Sequence, residues 1–146
     1  MSSEAAPPTS PSPDAKRPRT MSREVVATDK APAAIGPYSQ AIKANGFVFV
    51  SGCIGLHPVD KVIVPGGVGP QCRQVLENMK AVLEAAGSSM PKVVKTTILL
   101  QDMASFAEVN GIYAEYFPES PPARATFAVA GLPLGALVEI EATALA

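Results

Sequence analysis

The chain has one histidine, two cysteines and almost no net charge: twelve Lys plus Arg stand against thirteen Asp plus Glu, for −1. Each shortage removes a class of chemistry. A Ser-His-Asp triad would have to use His57, which sits in Leu56-His57-Pro58-Val59-Asp60, a sequence that reads as a surface loop. Cys53 and Cys72 lie nineteen residues apart with no CxxC and no Cys/His cluster. The usual N/S ligand set of a zinc site is hard to gather from these, and no metal is expected. The two thiols read instead as reduced structural cysteines. The charge balance supplies no broad field for nucleic-acid phosphates. No apolar run approaches the roughly 18 residues of a spanning helix, so membrane insertion is not expected.

What remains is a chain with a core. Its 146 residues, 47% hydrophobic and 17% charged, suffice for one globular domain and not for two ordinary ones. Met1 to Thr20 differs in kind: it holds five of the fifteen prolines, with Ser, Ala and the basic cluster Lys16-Arg17-Pro18-Arg19. Lacking an apolar period, residues 1–22 are expected to form a disordered extension and 23–146 the folded domain. The extension has no secretory h-region, and Glu4 and Asp14 are unlike an organelle transit peptide. A cytoplasmic location is expected, with nucleus and organelle left open because Lys16 to Arg19 also fits a nuclear-import patch.

Within the domain, Ala41-Ile42-Lys43 and Phe47 to Val50 flank Asn45-Gly46, a type I′ hairpin signal. Val62-Ile63-Val64 reads as a short third strand. Val75, Leu76, Met79, Val82, Leu83 and Ala86 recur at helical spacing and predict a helix over 70–86, stopped by Gly87. A strand is expected over 93–100. A second helix should start near Ser105, where Ser105-x-x-Glu108 makes a capping box; Phe106, Val109, Tyr113, Tyr116 and Phe117 mark its buried side. Strands over 125–130 and 137–145 complete an α+β sandwich, a mixed sheet with both helices on one face. The other face, mixing polar groups with Phe47, Phe49 and Leu99, suits a subunit interface.

Three features bear on chemistry. Arg124 enters a strand among small and apolar neighbours and needs an acceptor: either Glu139 or Glu141 in a salt bridge, or a ligand carboxylate or phosphate that its planar fork matches. Glu139 and Glu141, two apart on a strand, share one face; covered, they would have raised carboxyl pKa values suited to acid/base work. Ile35-Gly36-Pro37-Tyr38-Ser39-Gln40 places a tyrosine after a turn, where it either packs or caps a pocket.

These residues also carry a resemblance. Ala31 to Gln40 (APAAIGPYSQ), Val50-Ser51-Gly52, Gln71-x-x-Gln74-x-x-Glu77-Asn78, Val93 to Thr97, Phe106 to Asn110, Pro122-Ala123-Arg124-Ala125 and Val138 to Ala142 resemble the RidA/YjgF imine deaminase family, in order and spacing, from about Arg23 onward. Met21 stands where such proteins usually start. The resemblance implies a chorismate-mutase-like fold, a homotrimer with a barrel-like core and sites between subunits. It implies hydrolysis of 2-imino acids, 2-iminobutanoate and 2-iminopropanoate, to 2-oxo acids and ammonia, clearing by-products of PLP enzymes without metal or cofactor. By position, Arg124 would hold the substrate carboxylate and Glu139 would orient or activate water, with Tyr38, Ser51 and Asn110 lining the pocket. Thr126 stands where the family often has Cys.

Two other readings are weighed. Relatives are also described as endoribonucleases that inhibit translation; a single loop histidine and a near-neutral chain fit that poorly, and the basic cluster at Lys16 to Arg19 is the one segment suited to RNA. A non-catalytic trimer that binds 2-oxo acids or acts as a chaperone would use Arg124 without needing Glu139.

Overall fold

The computed structural model describes residues 22–146, so the disorder expected of the extension falls, Ser22 apart, outside the described residues. The Asn-Gly hairpin forms as read. β2 (Ala41–Ala44) and β3 (Phe47–Ile54) pair antiparallel with Ala44 opposite Phe47. Asn45 and Gly46 take φ of 50° and 82°, the left-handed pair of a type I′ turn. A strand of three residues, β1 (Glu24–Val26), too short to show a pattern in the sequence, pairs with the free edge of β2.

Val62 to Val64, expected as a strand, is not one. A single bridge joins Leu56 to Ile63. The loop bonds to itself instead: the His57 N–H donates to the Val62 carbonyl and the Lys61 N–H to the His57 carbonyl, with Lys61 at φ 57°. The turn closed at Lys61 holds the segment against Gly55 to His57, and the pairing stops at that one bridge.

The first helix, α1 (Val68–Ala85), buries Val75, Leu76, Met79, Val82 and Leu83 of the stripe its spacing announced, with Cys72 beside them, and Ala86 is buried just past its end. Each large apolar side chain so buried contributes roughly 1.5–3 kcal/mol. β4 (Val93–Leu100) has the expected bounds. The capping box at Ser105 does not form: a 3₁₀ turn over Met103–Ser105 draws Ser105 into helical conformation, and it caps nothing. Asp102 accepts from the Ala104 N–H instead, at 2.9 Å, three residues upstream. The second helix, α2 (Phe106–Tyr116), buries Val109, Ile112 and Tyr113. β5 (Ala123–Ala128) begins two residues earlier than read, and β6 (Val138–Leu145) follows.

The six strands form one mixed sheet in the order β1-β2-β3-β6-β4-β5. Only β4 and β5 are parallel, with α2 as their crossover. Both helices cover one face, where Val48, Val50, Thr96, Ile98, Ile140 and Ala142 meet α1 and α2. That is the α+β sandwich expected. On the other face Phe49, Phe127 and Leu145 are left about half exposed.

Candidate functional site

A strap of irregular chain, residues 27–40, leads from β1 to β2 and carries Ile35 and Tyr38. One side chain fastens it. The Gln40 amide donates to the carbonyls of Thr28, Ala31 and Pro32 at 3.0, 3.3 and 2.7 Å, and its oxygen accepts from the Thr28 N–H at 2.7 Å. Ser51, on β3, closes the other end: its hydroxyl donates to the Ser39 carbonyl at 2.6 Å. Tyr38 stays half exposed, its hydroxyl accepting from the Ile35 N–H at 3.3 Å.

Opposite the strap, β6 presents Glu139. The ladder between β3 and β6 shifts register between Val50 and Cys53, a bulge that includes Ser51 and Gly52. The shift brings Gly52 beneath Glu139 so closely that a Cβ there would lie 2.8 Å from the Glu139 Cδ. Glu139, Tyr38, Ser51, Gly52, Ile35 and Pro133 line one open hollow of about 410 Å³. Burial raises the Glu139 carboxyl above its ordinary value, and the nearby Glu141 carboxylate raises it further.

Arg124 belongs elsewhere. On β5 it stands across from Thr96 of β4, whereas Glu139 stands across from Leu99. Thr96 faces the helices, so Arg124 does too, and the salt bridge to Glu139 or Glu141 that strand spacing allowed is not made. Its Nη1 donates to Asn110 Oδ1 at 2.7 Å, and its guanidinium lies over the rings of Tyr113 and Phe106, 5.1 and 5.6 Å from their centres. Among the described residues no carboxylate pairs with it. Thr126, two residues on, has a buried hydroxyl oxygen with no hydrogen-bond partner.

The expected site residues thus fall into two groups. Tyr38, Ser51 and Glu139 meet on the face away from the helices; Arg124, Asn110 and Thr126 lie on the helix side of the edge strand β5.

Two residues given no role from sequence, Gln71 and Asn78, brace the strands that carry the site. Gln71 Oε1 accepts from the Leu137 N–H at 2.8 Å, just before β6. The Asn78 amide donates to the Ile54 and Leu56 carbonyls at 3.2 and 2.9 Å, where β3 ends. Both are polar residues on the buried stripe of α1, and that oddity was the available signal. The thiols remain inert: burial pushes Cys53 up to about 12, with Glu139 adding to it, and Cys72 up to about 11. His57 keeps its loop place, its Nδ1 accepting from the Val59 and Asp60 N–H groups. No cluster of metal-binding side chains occurs among the described residues. Nor is any described helix long and apolar enough to cross a membrane.

The chain is similar to known proteins throughout the described region. The family model described as Endoribonuclease L-PSP matches residues 28–146. Reactive Intermediate Deaminase A, chloroplastic, of Arabidopsis thaliana is 55% identical over 125 residues, spanning 86% of this chain and 67% of that one. The 2-iminobutanoate/2-iminopropanoate deaminase of Mus musculus is 52% identical over 84% of this chain and 91% of its own. Among solved structures, E. coli TdcF with bound serine superposes with a TM-score of 0.81 at 38% identity, covering 84% of this chain and 98% of that one. With a family model matched over residues 28–146 and deaminases half identical along most of their length, the chain belongs to the RidA/YjgF family, whose sequence model carries the endoribonuclease L-PSP description.

Proposed function

We propose that the chain hydrolyses 2-imino acids, 2-iminobutanoate and 2-iminopropanoate among them, to 2-oxo acids and ammonia. The observation that carries this reading is Arg124: a cation held by a neutral amide and two rings, with no carboxylate of the described chain paired to it. An arginine so placed keeps its remaining N–H donors for an anion, and a planar carboxylate matches them. The Mus musculus relative is named a deaminase of such acids and the Arabidopsis thaliana one a reactive intermediate deaminase, and the TdcF structure holds serine, which carries a carboxylate of the same kind.

Arg124 and Glu139 lie on opposite faces of one sheet, so we infer that a site is built from two copies, Arg124 of one and Glu139 of the next, in a homotrimer. The apolar side chains left open on the Glu139 face, Phe49, Phe127 and Leu145, supply a surface for that contact. With the carboxylate on Arg124, a water on Glu139 attacks C2 of the protonated imine. Glu139 takes the water proton as the C–O bond forms. Glu139 passes that proton to nitrogen, and as the C–N bond breaks and ammonia leaves, the C2 hydroxyl gives its own proton back to the Glu139 carboxylate and its oxygen becomes the 2-oxo group. A protonated imine is electrophilic enough that this route calls on neither metal nor cofactor.

The reaction is tested by generating the imine with an amino-acid oxidase, trapping it with semicarbazide and following the fall in semicarbazone as protein is added. A fall that scales with protein is expected; none, from a folded trimer, would leave a binding role as the better reading. A second check uses Gly52→Ala. The three atoms nearest the added methyl all belong to the Glu139 side chain, so its carboxyl is displaced and kcat should drop roughly tenfold to a hundredfold with thermal stability nearly kept. Unchanged kcat would remove Glu139 from the chemistry.

A further inference from the structure

Arg124 is the exposed tip of a small stack that begins in the core. Phe106, Asn110 and Tyr113 follow one another at helical spacing along α2, with Phe117 at its C-cap, and the first three reach Thr96 of β4 and Arg124 of β5. Phe117 and Tyr113 pack with ring centres 4.6 Å apart. The Tyr113 hydroxyl shares a 2.7 Å hydrogen bond with Thr96 Oγ1, and Thr96 is fully buried on β4 directly across from Arg124. That bond fixes the ring against the sheet. Over the ring and over Phe106 lies the guanidinium, with Asn110 taking one of its N–H groups. Burial raises the Tyr113 hydroxyl pKa, against the opposing pull of Thr96 and Arg124. It therefore stays protonated near neutral pH and the stack keeps its form.

We propose that Tyr113, pinned by Thr96, and Phe106 are positioning residues that hold the Arg124 guanidinium in the plane and direction from which it grips the substrate carboxylate. This rests on the imine-hydrolase reading. A free arginine side chain samples many rotamers and loses that freedom on binding; two ring faces and one amide remove most of it beforehand. The rings hold the cation through their π faces and leave its outward N–H groups unspent, which a carboxylate neighbour would not do. The device acts on binding of the carboxylate, which substrate and product share, and not on the water that attacks.

The test measures KM and kcat for imine hydrolysis alongside calorimetric binding of 2-oxobutanoate, in Tyr113→Phe, Tyr113→Leu and Phe106→Leu. Tyr113→Phe keeps the π face but loses the pinning bond to Thr96, so it should raise KM and the 2-oxobutanoate Kd by about threefold, short of the Tyr113→Leu effect. The two leucine variants should raise KM and the 2-oxobutanoate Kd together, by about tenfold for Tyr113 and less for half-buried Phe106, with kcat within about threefold. A fall in kcat at constant KM, or no change in either leucine variant, would overturn the proposal. Should Tyr113→Leu not fold, Phe106→Leu carries the same comparison. Product binding is read without turnover, so an unmodified protein that binds 2-oxobutanoate but shows no hydrolysis would count against the hydrolase reading alone, and the shift in Kd would still decide the role of the rings.

Discussion

Arg124→Ala is expected to reduce kcat/KM for 2-imino acids by about a hundredfold to a thousandfold, with the protein still folded and assembled. The size follows from what is lost. A bidentate guanidinium–carboxylate contact, shielded from water, is worth ~3–4 kcal/mol to the group that depends on it, and each factor of ten is about 1.4 kcal/mol. The loss should appear in binding first, since the carboxylate is unchanged by the reaction, and 2-oxobutanoate should cease to bind in calorimetry. Stability should change little, because Arg124 is exposed and its partners in the chain are a neutral amide and two ring faces. Arg124→Lys separates charge from shape: it keeps the cation but offers no planar fork and fits poorly between rings, so it should recover only a small part of the activity. Equal activity in Arg124→Lys and the unmodified protein would mean that a point charge suffices. Unfolding of Arg124→Ala would instead give the residue a structural task.

How much of this was written in the sequence depends on the kind of signal each element left. Period and turn chemistry are local, and they located the hairpin at Asn45-Gly46, the buried stripe of α1 and the whole of β4. The alternation along β6 also placed Glu139 and Glu141 on one face, as found. What failed depended on where a backbone group finds its partner. The capping box at Ser105 matched its pattern, but Asp102 had a better-placed carboxylate for the preceding turn. Val62 to Val64 had strand residues, but the His57 loop satisfied its own backbone first. The split of the site was harder to see. Strand spacing gives the face of a residue only relative to its own strand, and the relation of β5 to β6 passes through β4. Only the pairing of Arg124 with Thr96, and of Glu139 with Leu99, reveals that the two lie back to back. Phe106 and Tyr113 show the converse: read as buried, Tyr113 is core and Phe106 packs against it, and both also support an exposed cation, since one ring can do both.

Glu139→Gln is expected to lower kcat by about a hundredfold to ten-thousandfold, the span usual for a positioned acid/base group, with a smaller change in KM. The amide keeps the size of the side chain and a hydrogen bond to water, but it cannot take the water proton. The pH profile sharpens the test. Burial and the Glu141 charge hold the Glu139 carboxyl above the ordinary carboxylate range, and the base must be ionised to work. In the unmodified protein, activity should therefore fall on the acid side at a pH above that range. Glu141→Gln removes the like charge and should move this limb to lower pH while leaving the plateau nearly unchanged. Stability should respond in the opposite sense to activity. A carboxyl whose pKa is raised by folding favours the folded state most below its unfolded value, and that contribution is lost as pH rises through the folded value. At neutral pH the ionised Glu139 is thus a small burden on the fold, and Glu139→Gln should unfold at an equal or slightly higher temperature than the unmodified protein. The gain should vanish at acid pH, where the carboxyl is protonated in both states. Lost activity with kept stability identifies a group retained for its chemistry; lost activity with lost stability would mark Glu139 as a strut of β6. Retained activity would require another base, and among the described residues lining the hollow the other carboxylate is Glu141.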